Sequence, residues 1–183
     1  MPLDREFEQL FLEHSQMLYR TGPAICIETT YGANMGDKMA SEIHDIAAQL
    51  GGETALGRQF RTDRDLDAAI RQGFPQRVVA EIMHSADLTL KELAASLDLS
   101  ARSLQRRRRE GRLAKYESDR IYRLARVIAL AKRYIGDEEK ARRWLKRPNR
   151  ALGGAAPLDL IDTEPGVRAV ENVLGRIAYG GLS

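Results

Sequence analysis

LKELAASLDLSARSLQRRRREGR, Leu90–Arg112, is the stretch that decides the fold. Leu93, Ala94 and Leu97 fall at helical spacing on one face, Asp98-Leu99-Ser100 breaks the pattern, and Leu104 begins a second apolar face. Two short helices joined by so brief a turn make a helix-turn-helix, a motif whose second helix enters the DNA major groove. Both helix starts carry their own signal. Thr89 followed by Glu92 is a capping box, in which the hydroxyl accepts from an early amide and the carboxylate reaches back. Ser100 caps the second helix without a returning carboxylate. Ala94 is small where the helices cross, and Leu93, Leu97, Leu99 and Leu104 supply the wedge between them. Asp98 takes the turn position where glycine is common, and aspartate tolerates a left-handed backbone better than most residues. Arg107 departs from the pattern, because that position is usually apolar. Either its stem snorkels, or the second helix sits looser than usual.

On that second helix Arg102, Gln105, Arg106 and Arg109 share the face opposite Leu104. Arginine grips a guanine edge with two hydrogen bonds and glutamine does the same to adenine, so these residue types suit base reading. Arg108, Arg112 and Lys115 point sideways towards phosphates, which position without specifying. The expected DNA contacts are therefore Ser100, Arg102, Gln105, Arg106, Arg109, Arg112 and Lys115. The alternative is a solvated basic helix that packs on a neighbour or touches RNA.

A chain of 183 residues has room for one compact domain or two small ones. With 43% hydrophobic and 30% charged residues it reads as globular, and 6% aromatic content argues against a large ring-lined ligand pocket. The start, MPLDREFEQLF, is acidic and amphipathic rather than a signal peptide. No apolar run is long enough to span a bilayer. The single cysteine, Cys26, excludes an internal disulfide framework and suits a reducing compartment. These features lead us to expect a soluble cytoplasmic protein that does not engage a membrane. The net charge of +3 conceals a segregation: residues 1–100 carry −7, residues 101–150 carry +12 and residues 151–183 carry −2. A basic block between acidic flanks is the footprint of a polyanion site.

The remaining segments read as helices and loops. Residues 1–20 form an amphipathic helix through Leu3, Phe7, Leu10 and Phe11, and residues 21–40 lack a period and read as loop or short strand. Residues 41–50 are helical up to Gly51-Gly52. Asp63–Gln72 forms a helix with acidic residues in its first turn, ended by Gly73. Pro75 opens the next helix, which runs through Val78, Val79 and Ile82 to about His84. Downstream, Ser118 caps a long helix over Asp119–Ile135, a shorter helix covers Glu138–Arg147 and stops at Pro148, and a single turn follows at Pro157–Ile161. Thr163 caps a last helix whose inward residues include Val167, Val170, Val173, Leu174 and Ile177. The fold class is all-α, a helix-turn-helix half followed by a small helical domain.

Catalytic and metal chemistry find no constellation. His14, His44 and His84 lie on separate segments without ligand spacing. Asp63, Asp65 and Asp67 alternate like calcium ligands but lack the glycine and terminal glutamate of an EF-hand. Cys26 has no basic neighbours that would lower its pKa. The expectation is a binding protein that is not an enzyme and takes no cofactor.

SLQRRRREGRL at 103–113, ESDRIYRLARVIALA at 117–131 and GDEEKARRWLKRPNRALGGAAPLDLIDTEPGVRAVENVLGRIAYG at 136–180 together resemble the Xre/MbcA/ParS antitoxins, partners of RES-domain toxins. The upstream AAQLGGETALG at 47–57 and DLDAAIRQGFP at 65–75 also fit, leaving the first 45 residues outside the likeness. The resemblance implies dimerisation, neutralisation of a toxin that consumes NAD or ADP-ribosylates proteins, and repression of the operon through operator DNA. It implies an N-terminal extension at 1–45, a helix-turn-helix domain at 46–116 and a toxin-binding domain at 117–183. Family motif positions fall on Trp144, Pro148, Asn149, Leu152, Gly153, Gly154, Pro157, Leu158, Thr163, Gly166, Arg176 and Tyr179. Ala155-Ala156 departs from the family, which commonly carries a charged or polar residue after the glycine pair.

For several of these positions a structural role competes with toxin contact. Trp144 shares a side with Ala141 and Leu145, which suits a core anchor. Gly153-Gly154 suits a tight turn with positive φ, and Asn149 suits a cap on that turn. Arg176 and Tyr179, followed by a short tail to Ser183, suit contact with a partner. The expected toxin contacts are Asn149, Gly153, Gly154, Arg176, Tyr179 and Ser183. Two other functions stay open: a helix-turn-helix regulator whose C-terminal helices dimerise or sense a ligand, and a structural or RNA-binding helical protein.

Overall fold

Apolar residues recurring every three or four positions leave this chain one way to hide them, helix against helix. The computed structural model describes the backbone of residues 34–180 and the side chains of residues 41–180. In chain order the helices are α1 (Asn34–Gln49), α2 (Gly52–Leu56), α3 (Asp63–Gln72), α4 (Val78–Ala86), α5 (Leu90–Ser96), α6 (Ala101–Glu110), α7 (Lys115–Ile135), α8 (Glu138–Lys146) and α9 (Glu164–Ala178). Two 3₁₀ turns, Arg150–Leu152 and Pro157–Leu160, bridge α8 and α9. Among the described residues there is no strand, only one isolated antiparallel bridge between Pro75 and Arg112. None of these helices is long and apolar enough to cross a membrane.

The long helix α7 organises the packing. It lies against α3 and α4 on the N-terminal side and against α8 and α9 on the C-terminal side. Its residues Ile121, Leu124, Val127, Ile128 and Ala131 are buried. They join Leu66, Phe74, Ile82 and Leu93 from upstream, and Leu145, Val170 and Leu174 from downstream, in one continuous core. Burying each such side chain contributes about 1.5–3 kcal/mol before the entropy of ordering is charged against it. The described residues from Met35 onward accordingly gather into a single compact unit.

The helix-turn-helix boundaries fall where local chemistry puts them. Thr89 Oγ1 accepts from the Glu92 amide at 3.2 Å, and Glu92 Oε2 accepts from the Thr89 amide at 2.7 Å. Asp98 sits at φ 47°, the left-handed turn residue. Ser100 Oγ accepts from the Ser103 amide at 3.0 Å and starts α6. Leu93, Ala94, Leu97 and Leu104 are buried and Leu99 is half-buried.

Three readings are corrected. Residues 34–40 belong to α1 rather than to a loop or strand; methionines at 35 and 39 extend the spacing of Ile43 and Ile46 upstream, and Gly36 does not interrupt it. Pro75 does not open α4, which starts at Val78 after a turn. The residues around Pro75 are held instead by Gly111 and Leu113: the Leu113 amide donates to Phe74 O at 2.9 Å and the Gln76 amide to Gly111 O at 3.0 Å. Ser118 does not cap α7, because the helix begins one turn earlier, at Lys115. Buried inside that first turn, the Ser118 hydroxyl donates to Ala114 O at 2.9 Å and accepts from the Phe74 amide at 2.8 Å. Together these bonds join the α3–α4 link to the α6–α7 link. Glycine is required at 73, where φ is 81° and a Cβ would lie 2.1 Å from Leu113 O.

In the C-terminal part Asp137 caps α8 through the Lys140 amide at 2.8 Å, and Trp144 is buried as a core anchor. Gly153 and Gly154 adopt φ 69° and 88°, the tight turn expected of them. Thr163 caps α9 by accepting from the Gly166 amide at 3.3 Å.

Candidate nucleic-acid interface and partner-binding end

Helix α6 is anchored by little. Leu104 is its one buried residue, so the remainder of its surface is free to carry charge. Arg102, Gln105, Arg106 and Arg109 are all exposed and line one face. Arg102, Arg108 and Arg109 make no hydrogen bond or ion pair among the described residues, while Arg106 lies 3.6 Å from Glu110 in an exposed pair. Such a pair is worth little in water and yields readily to a phosphate or a base. Lys115, at the start of α7, is exposed beside this face. Ser100 is occupied as the cap. Arg112 is differently placed: its Nη1 donates to Gly73 O at 2.7 Å and Gln72 O at 3.3 Å, closing the C-terminal end of α3.

Arg107 resolves the anomaly in the motif in a way that sequence reading missed. Its Nε donates to Glu117 Oε2 at 2.7 Å, and Glu117 is fully buried. The same carboxylate oxygen accepts from the Ala114 amide at 2.6 Å, capping α7. Arg107 also pairs with Glu110, and Glu110 together with Glu117 holds its guanidinium deeper in the protonated range. The signal lay in the ten-residue spacing of Arg107 and Glu117 across a glycine turn, visible only once α6 and α7 are known to fold back on each other. A second feature with no sequence signal is a cleft of about 660 Å³ between α4 and α6, floored by Val79, Met83, Leu88 and Leu104 and edged by Gln105 and Arg108.

Much of the basic block at 101–150 is structural. Arg120 Nη1 donates to Leu97 O at 2.5 Å and Asp98 O at 2.7 Å, gripping the turn of the motif from α7. Arg142 Nε reaches Ser85 O at 3.0 Å, and Lys146 bonds both Asp87 O and, at 2.9 Å, Asp87 Oδ2. Arg126 pairs with Glu171 at 2.6 Å, and Arg133 with Asp45 at 2.6 Å.

At the other end, Asn149 Oδ1 accepts from the Ala151 amide at 2.9 Å, and the Gly154 amide donates to Asn149 O at 2.9 Å. The loop thereby closes on itself, and its Arg150–Leu152 turn packs against α9. Asn149, Gly153 and Gly154 flank this turn, while Arg176 lies in the last turn of α9 and Tyr179 is its C-cap. Arg176 is exposed, and Tyr179 is 74% exposed, a large ring left in solvent at the end of α9. Ser183 lies outside the described residues, as do His14 and Cys26. Asp65 serves as the reciprocal carboxylate of the α3 cap, and Asp67 pairs with Arg71. Among the described residues no cluster of His, Cys, Asp or Glu is fit to hold a metal ion.

A model of the antitoxin Xre-like helix-turn-helix domain matches residues 65–126, and a model of the antitoxin Xre/MbcA/ParS C-terminal toxin-binding domain matches residues 130–180. Antitoxin Xre of Photorhabdus laumondii subsp. laumondii is 35% identical over 120 residues, covering 64% of this chain and 81% of that protein. The chain belongs to the Xre antitoxin family. Antitoxin Xre of Yersinia enterocolitica is also 35% identical, over 63% of this chain and 79% of its own length. A chain of the crystal structure of the M. tuberculosis MbcT-MbcA toxin-antitoxin complex is 26% identical, covering 57% of this chain and 94% of that one at a TM-score of 0.45. The chain thus carries its helix-turn-helix domain first and its toxin-binding domain second, and the two matched segments meet inside α7.

Proposed function

We propose that this member of the Xre antitoxin family neutralises a cognate RES-domain toxin, one that consumes NAD or ADP-ribosylates proteins, and represses its own operon by reading operator DNA through α6. It acts by binding rather than by catalysis, as a homodimer in the cytoplasm. The working division is an N-terminal extension at 1–45, DNA reading within 46–116 and toxin binding within 117–183. The observation that carries the reading is the row Arg102, Gln105, Arg106 and Arg109, exposed on a helix whose only buried residue is Leu104, within a chain that also carries a toxin-binding domain. Ser100 and Lys115 contribute at the rim of this face; Arg112 offers a phosphate only the part of its fork not engaged with Gly73.

On the toxin side, the self-closed loop at Asn149–Gly154 supports α9, and Arg176, Tyr179 and the tail to Ser183 enter the toxin's cleft and exclude substrate. The test is co-expression with the RES-type product of the adjacent gene. The full chain rescues growth and stops NAD loss, whereas a chain lacking Tyr179–Ser183 keeps its helicity and DNA affinity but fails to rescue. Rescue by the shortened chain would overturn the role given to the tail.

A further inference from the structure

Helix α6 has ten residues and one buried apolar side chain. A helix that short is marginal alone in water, and its apolar contacts, the buried Leu104 and the partly buried Ala101 one turn before it, are small enough to leave its rotation loosely set. The polar attachment is Arg107, three residues beyond Leu104 and turned away from the row Arg102, Gln105, Arg106 and Arg109. Its Nε meets a carboxylate that is fully buried and is held by the Ala114 amide and the Tyr116 hydroxyl, the latter at 3.2 Å. Hydrogen bonds are directional where apolar packing is tolerant, and a charged pair fixed at both ends sets rotation as well as distance. On the N-terminal side of α6, Arg120 of the same α7 holds the preceding turn through two carbonyls. Both ends of the reading helix are therefore referenced to one rigid element.

We propose that the Arg107–Glu117 pair sets the rotation of α6 and so acts as a positioning device for sequence discrimination, touching no base itself. The inference rests on DNA reading by α6 and deepens it. Breaking such a pair leaves one charge buried alone, whereas replacing both partners removes that penalty. The variant to examine is therefore Arg107→Met with Glu117→Gln, which leaves net charge unchanged and retains an acceptor for the Ala114 amide.

The probes are the tightest duplex selected from a randomised pool by the wild-type chain and an unselected duplex of equal length. The double variant keeps the helicity of the wild type, its affinity for the unselected duplex and the salt dependence of that binding, while its preference for the selected duplex falls about tenfold. Unchanged preference in the folded double variant overturns the proposal. Should that variant fail to fold, Arg107→Lys is measured in its place, since it keeps the charge and loses the planar Nε donor. Preference falls at least threefold on the proposal, by an order-of-magnitude expectation, and an unaltered preference overturns it. If selection by the wild type enriches no sequence, DNA reading by α6 has itself failed, and that outcome is distinct from an enriched sequence whose preference survives both variants.

Discussion

Arginine at 106 and lysine at 115 lie a few residues apart in sequence, yet their surroundings give them different tasks. Arg106 belongs to the exposed row proposed to read bases, so Arg106→Ala is expected to flatten the preference for operator over random duplex. Lys115 stands to the side, and Lys115→Ala weakens both duplexes alike and lowers the salt slope by about one. Fluorescence anisotropy against the two duplexes at several salt concentrations checks both outcomes; equal losses for both variants would argue against base reading. A second prediction concerns Glu92. The Thr89 hydroxyl and amide hold its carboxyl below the ordinary glutamate range. A carboxyl whose pKa is lowered by folding contributes stability above its unfolded pKa and loses it as pH falls through the folded value. The urea midpoint of the wild type therefore drops on acidification below the usual carboxylate range, and the Glu92→Gln variant drops less steeply there. At this scale the sequence was legible wherever a side chain acts on its own neighbours, as Thr89, Asp98 and Ser100 do. It was illegible for Arg107, Arg112 and Arg120, whose partners are distant in the chain. Counting charge credits all of them to nucleic acid, while the structure spends them on a buried carboxylate and on carbonyls.

Among the helices, α3 and α9 start and stop as spacing and capping predict, because nothing tertiary competes with those signals. Around Pro75 and Ser118 the local rule was overridden. Proline is favoured at a helix start, but here the backbone on either side of Pro75 is bonded to Gly111 and Leu113, so α4 waits until Val78. Ser118 has the chemistry of a cap but lies inside α7, where its hydroxyl satisfies the otherwise orphaned Phe74 amide. Removing that acceptor strands a buried N–H. Ser118→Ala is thus expected to lower stability by about 1–3 kcal/mol, read as a shift of the urea midpoint without a change of slope.

Over the molecule as a whole, the functional halves named from sequence share one hydrophobic core, and α7 contributes to both. Unfolding should be cooperative across that shared core. The fluorescence of Trp144, the only tryptophan and a residue of α8, reports on the toxin-binding part, and the far-ultraviolet signal reports on every helix. The two curves are expected to coincide in urea, and a separate earlier transition by either probe would count against a shared core. The fold class and the order of domains were readable from periodicity and motif, whereas the sharing of α7 was not, because a helix with apolar residues around much of its circumference does not announce which neighbours it serves.

The short antiparallel contact between Phe74–Gln76 and Gly111–Leu113 carries a consequence for protein engineering. Grafting the helix-turn-helix segment of one relative onto the toxin-binding segment of another would cut between a seam and the helix that backs it. Chimeras joined at the head of α7 should express poorly, and moving the joint past Ile135 only transfers the break to the packing of α7 on α8 and α9, so recombination among relatives is expected to keep α3 through α9 together.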